Sequence, residues 1–228
     1  MRIIHSDKGG AMEKEILLKE ISDADADIEK YAALAVKNEE IRTELVSQMI
    51  TNRYIMVYYH CYYILDKASS RVPELFYKDW KKFEKLLDHE NSYHRTIGLV
   101  MLSNLIPADK EKLFDKISDK YFMFINDKKI TTARDCVICT GKILKQRSEY
   151  IDKVIKLYLN MEKICKFKEN QKALLLYDMF VVFEEFYEKT SYKKEINEKI
   201  LANLKNTSPK AAKKARELKK KFGLSEKK

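Results

Sequence analysis

The chain repeats itself at a distance that leaves few folds open to it. Asp88 is followed seven residues later by Arg95, and Asp127 seven residues later by Arg134. The two pairs stand 39 residues apart, and the apolar residues around them shift by the same amount. Phe83 maps to Phe122, Leu86 to Ile125, Ile97 to Cys136, Leu99 to Ile138 and Leu105 to Leu144. A fixed offset of this size marks stacked supersecondary units, each burying its apolar side on the next, rather than one closed globule.

Spacing within each unit is helical. Leu75, Phe76, Trp80, Phe83, Leu86 and Leu87 recur at the three- and four-residue steps of one helix face. His89-Glu90-Asn91-Ser92 makes a polar joint, in which Asn91 or Ser92 is suited to cap a second helix over roughly Tyr93 to Ile106. That helix is apolar almost all round, so it is expected to be the inner, buried member of its pair. Pro107 and Asp109 separate it from the next unit. There Phe114, Ile117, Tyr121, Phe122 and Ile125 form the outer helix, and Asn126-Asp127-Lys128-Lys129 forms the joint. Val137, Ile138 and Leu144 lie on the second inner helix. The same columns align Arg53 and Lys172 with Arg95 and Arg134, so four inner helices are expected, with a shorter helix from Pro209 to Phe222.

This pattern resembles the HEAT repeats, within the broader armadillo-type helical repeats. Such repeats are helix pairs with an Asp near the end of the first helix and an Arg or Lys early in the second. The resemblance implies that Asp88, Arg95, Asp127 and Arg134 form a polar ladder between neighbouring units. It covers about Ile28 to Phe222. It departs from the family in a slightly short unit, since the usual length is roughly 40–47 residues. It also has Cys165 where the third unit should carry its Asp. The expected architecture is all-α, a right-handed α-solenoid of about five antiparallel helix pairs. Residues 12–222 would form one repeat domain, residues 1–11 a disordered lead-in with Met12 as an alternative start, and residues 223–228 a basic tail.

Five Gly and three Pro among 228 residues leave little material for β-turns, which agrees with an all-α chain. No apolar run reaches the roughly 18 residues a membrane span requires. Met1-Arg2-Ile3-Ile4 passes directly into polar residues, so no signal peptide is expected and the setting is read as cytoplasmic. Cys61, Cys136, Cys139 and Cys165 form no disulfide framework. Cys136 and Cys139 do spell a CxxC, but on an inner helix, where a buried apolar role is expected and no metal.

Catalytic signatures are missing. There is no Gly-rich phosphate loop, GxSxG elbow or HExxH. His89 and His94 are five apart, a spacing that on a helix turns them away from one another by well over 90°. No catalytic residue or cofactor is expected. One branch of DNA alkylpurine glycosylases resembles HEAT-like solenoids of about this length and basicity, which makes base excision the enzymatic alternative. That branch needs groove aromatics, and Trp80 lies by periodicity on an outer helix.

Two features have binding character. The net charge is +10, yet ten Lys or Arg against Glu217 and Glu226 between Lys205 and Lys228 supply +8 of it. Lys213, Lys214, Arg216, Lys220 and Lys221 are therefore the candidate phosphate contacts for weak nucleic-acid binding. The plainer and leading reading of the same charges is the polar cap an end repeat needs. The other feature is the most polar stripe of the inner helices: Tyr54 and Tyr58, Thr96 and Ser103, Asp135 and Lys142, and Tyr177. Tyr offers large contact area at small rotamer cost. In a solenoid this stripe lines the concave groove, so the expected role is a non-enzymatic scaffold or adaptor that binds another protein there.

Overall fold

Asn38 shows how tightly the chain is punctuated. Its own N–H closes one helix on the carbonyl of Leu34, while its side-chain oxygen accepts from the N–H of Glu40 at 2.8 Å and of Ile41 at 3.1 Å to open the next. The computed structural model describes residues 17–225, and among these every regular element is helical. The lead-in expected over residues 1–11 and the tail residues 226–228 lie outside them. The chain forms two compact units, divided between Phe83 and Glu84.

In the first unit, residues 17–22 are helical and are followed by α1 (Ile28–Lys37), α2 (Glu39–Thr51) and α3 (Ile55–Arg71). These three pack on one another through Tyr31, Ala35, Leu45, Met49, Cys61, Ile64 and Leu65, all buried. Arg42 is buried as well, because its guanidinium donates to the carbonyls of Ala35 at 2.8 Å and Val36 at 3.3 Å. Those carbonyls belong to the last turn of α1 and have no partner within the helix. The single outer helix expected from Leu75 to Leu87 is instead two 3-10 turns, Pro73–Leu75 and Tyr77–Asp79, leading into α4 (Trp80–Leu86). Pro73 sets the break, since it opens the first turn and holds Val72 outside the helical region.

The second unit contains α5 (Ser92–Leu105), α6 (Leu113–Phe122), α7 (Ile130–Gln146), α8 (Ile151–Leu159), α9 (Met161–Ile164), α10 (Glu169–Phe186), α11 (Lys193–Ala202) and α12 (Pro209–Lys221). Asp109 anchors the start of α6 by accepting from the N–H groups of Leu113 and Phe114, at 2.8 and 2.9 Å, while Lys112 takes up a left-handed turn at φ 54°. Contacts between neighbouring elements recur at nearly the sequence offset. Thr96 bonds to Asp135 at 3.1 Å and Lys142 approaches Asn104 at 3.4 Å, so α5 and α7 lie side by side and parallel. Arg134 meets Asp178 and Lys145 meets Glu185 at 2.8 Å, which sets α7 parallel to α10. Likewise Asp119 meets Lys153 at 2.6 Å and Asp115 accepts from Tyr150 at 2.7 Å, while Asp152 holds Thr190 and Ser191, each at 2.7 Å. Thus α5, α7 and α10 form one parallel row, and α6, α8 and α11 share a second run of contacts.

Of the ladder residues, Asp88 and Arg134 take partners other than those expected. Arg95 is bidentate to Asp127, at 2.7 and 2.8 Å, and its remaining donors reach the carbonyls of His89 and Glu90 at 2.9 and 2.7 Å. Asp88 takes no part: it lies exposed and holds Lys120 at 2.6 Å. Arg134 does not pair with Asp127 but is bidentate to Asp178 on α10, at 2.6 and 3.1 Å. The position that the column alignment through Lys172 would give to a third joint carboxylate is Cys165, which lies 3.1 Å from the carbonyl of Ile125. Hydrogen bonding to Asp127 and to Asp178 raises the pKa of Arg95 and Arg134 above the ordinary arginine value.

The side chain of Arg95 is 10% exposed and that of Asp127 5%, against 72% for Asp88. Replacing Arg95 with Ala strands a buried carboxylate and should destabilise the protein by about 3–5 kcal/mol. Replacing Asp88 with Ala should cost about 0–1 kcal/mol. Urea unfolding of both variants checks the contrast, and equal losses would show that the two ion pairs do not differ in weight.

Candidate functional site

A helix in the middle of a row buries two flanks and its back, so only a narrow front remains open. On α7 that front is Arg134, Ile138, Lys142 and Lys145, at steps of three and four residues. On α10 it is Leu174, Tyr177, Val181 and Glu185. The Arg134–Asp178 and Lys145–Glu185 bridges tie the two fronts at both ends. Between them Gly141 leaves α10 close: a methyl group there would sit 3.7 Å from the side chain of Val182. Ile138 therefore lies level with the 178–182 stretch of α10, which carries Val181.

Three large aliphatic side chains stand open on this front. Ile138 is 52% exposed, Val181 40% and Leu174 38%, although their neighbours Val137, Leu175 and Val182 are buried. The rim is cationic and ordered. Lys142 is exposed and reaches Asn104, and Lys210 at the start of α12 holds its ammonium 4.4 Å above the ring of Tyr177. Asp135 is partly buried, and desolvation raises its carboxyl pKa against the opposing hydrogen bond from Thr96.

The expected groove stripe is brought together only in part. Thr96, Asp135, Lys142 and Tyr177 flank this front. Ser103 is buried, its hydroxyl donating to the carbonyl of Val100 at 2.8 Å. Tyr54 and Tyr58 belong to the first unit, where Tyr54 is exposed and Tyr58 is buried against Tyr59, with ring centroids 5.1 Å apart. Ile138, Leu174 and Val181 were missed because the sequence reading assigned apolar residues to the core. A usable signal was present: Val137-Ile138, Leu174-Leu175 and Val181-Val182 place apolar side chains about 100° apart on one helix, wider than one seam can cover.

The basic helix α12 is partly neutralised. Glu184 on α10 takes both Lys214, at 2.5 Å, and Lys221, at 3.0 Å. Arg216 donates to the carbonyl of Leu204 at 2.9 Å, and Phe222 stacks on Tyr187 at 3.8 Å. Lys213, Arg216 and Lys220 remain on the exposed face of the helix.

Two other surface features carry charge or depth. His89 and His94 stack with ring centroids 4.2 Å apart, contrary to the helical projection, because His89 lies in the joint and its Nδ1 accepts from the N–H of Asn91. His89 borders an open depression of about 640 Å³ that includes Arg95, Asp127, Asp88 and Lys120, whose charges are already paired. A second depression of about 360 Å³ lies among Phe122, Met123, Leu157 and Ile164, with Lys153 and Lys156 at its edge. Among the described residues no group of His, Cys, Asp or Glu is arranged to hold a metal ion. All four cysteines are buried and unpaired, and burial pushes the thiols of Cys139 and Cys165 to about 11 and that of Cys61 to about 12. Trp80 is buried in the first unit. No helix among the described residues is long and apolar enough to cross a membrane. The chain matches no protein-family model, no curated protein and no solved structure.

Two measurements follow from this geometry. Thiol reagents should leave Cys136 and Cys139 unmodified in the native protein and label them only on unfolding, because a buried, protonated thiol is unreactive. Four cations of α12, Lys210, Lys213, Arg216 and Lys220, meet no carboxylate among the described residues, so together they give a duplex contact a log–log salt slope of about −3.6 at most. A slope steeper than about −5 in a fluorescence titration would require Lys214 or Lys221 to leave Glu184.

Proposed function

We propose that the second unit is a HEAT-like stack within a right-handed α-solenoid, and that the protein is a non-enzymatic scaffold or adaptor. It binds another protein on the front of α7 and α10. The parallel rows and the recurring contact offset support the repeat reading, since in such stacks each unit leans on its neighbour. The observation that carries the binding reading is the level exposure of Ile138, Leu174 and Val181 beside fully buried neighbours. Isolated exposed aliphatics are ordinary on protein surfaces, but a contiguous group marks a contact site.

The magnitude suits a reversible contact. Completing the burial of three half-covered side chains contributes about half of the ~1.5–3 kcal/mol that each gives on full burial. That supplies an anchor of roughly 2–5 kcal/mol before rim charges act. Nucleic-acid binding through α12 is the weaker reading, because Glu184 already holds two of its five candidate cations.

A photo-crosslinking residue placed at position 138 or 181 should capture one protein from native extract, and the same probe at Lys116 on α6 should not. Val181→Asp should abolish capture from position 138 while leaving the melting temperature within a few degrees of the parent. Equal capture from positions 138 and 116, or capture indifferent to Val181→Asp, would remove this face from consideration.

A further inference from the structure

The charge around this face narrows its occupant, an inference that rests on the binding reading above. Every carboxylate near the front is committed. Asp178 is taken by Arg134, Glu184 by Lys214 and Lys221, and Glu185 by Lys145. Asp135 is partly buried and bonded to Thr96. The cations are not matched in return. Lys142 reaches only the neutral amide oxygen of Asn104, at 3.4 Å, and Lys210 rests on the Tyr177 ring. Lys213 stands exposed on the next turn of α12. Among the described residues, Lys142 and Lys210 are thus held in position without meeting a carboxylate. They stand on the two sides of an aliphatic strip, Lys142 on α7 and Lys210 beyond Tyr177 of α10.

An apolar strip between ordered, uncompensated lysines complements one kind of segment. We propose that the face takes an acidic amphipathic helix of a partner protein. Its aliphatic residues cover Ile138, Leu174 and Val181, and its flanking Asp or Glu side chains meet Lys142 and Lys210. The spacing supports a helix. Leu174 and Val181 are seven residues apart on α10, about 10 Å along its axis, which is the distance between anchors at i and i+7 of a bound helix. An added strand would need an exposed sheet edge, and no strand occurs among the described residues. A phosphate backbone would satisfy the lysines but leave the aliphatic strip uncovered.

The test uses the full chain and two fluorescent helical peptides of about five turns. Both carry Leu at i, i+3, i+4 and i+7; one has Glu on the flanks of that stripe, the other Lys. Anisotropy titrations should show the Glu-flanked peptide binding at least about tenfold more tightly than the Lys-flanked one. Val181→Asp and Lys142→Glu should each weaken it by about tenfold, with circular dichroism melts unchanged. Rising salt should weaken the Glu-flanked peptide progressively.

Equal binding of the two peptides, no binding of either, or indifference to Lys142→Glu would overturn the acidic-helix proposal. A short DNA or RNA duplex that displaces the Glu-flanked peptide and is itself lost with Lys142→Glu would overturn it in favour of nucleic acid. Crosslinking from position 138 separates the two levels. Capture of a protein there without peptide binding leaves the binding reading standing and removes the acidic helix. Failure of both removes both.

Discussion

The second unit depends on side-to-side packing of parallel helices, and that packing is locked in register by two bidentate Arg–Asp pairs. An aliphatic interface alone is permissive about sliding, because one methyl group replaces another at little cost. A guanidinium fork facing a carboxylate is not, since both N–H···O bonds must align together. Arg95 fixes the joint before α7 by gripping Asp127 and two backbone carbonyls at once. Arg134 fixes α10 through Asp178. Buried pairs of this kind add little net stability over a well-packed apolar substitute, but breaking one is costly. Their contribution here is to specify which turn of one helix meets which turn of the next.

That register creates the candidate site. Once α7 and α10 are held level at the Arg134 and Lys145 ends, their open fronts form one continuous surface. Gly141 matters for the same reason, since the missing side chain lets Val182 approach and brings the two fronts close together. Residues that are unremarkable on separate helices then stand beside one another. The same docking of α12 onto α10 spends Lys214 and Lys221 on Glu184 and leaves Lys210 over Tyr177. Charge that looked like a phosphate footprint along one terminal helix is divided between fold and rim.

Local signals transferred well to local structure. The joint at Asn126–Lys129, the inner helix from Ser92 to Leu105 and the terminal helix from Pro209 to Lys221 all fall within a few residues of their expected places. Each is set by short-range chemistry: caps, proline and the period of apolar residues. The departure at Pro73–Asp79 has the same origin, because periodicity reports which face is buried but not whether the turns are α or 3-10.

The sequence by itself determined that the chain is helical and where several of its joints fall. It also determined that the cysteines of the inner helices are buried, because all of these follow from local spacing and apolar content. Only the tertiary structure decided the partners of the arginines. Arg134 crosses 44 residues to Asp178, while Cys165 stands at the position expected of a nearer joint carboxylate, a choice invisible until both helices are in place. It likewise decided that His89 and His94 stack, and that Ile138, Leu174 and Val181 face outward. Hydrophobicity states a preference for burial, but how much of an all-apolar helix can be covered depends on how many neighbours the fold places around it.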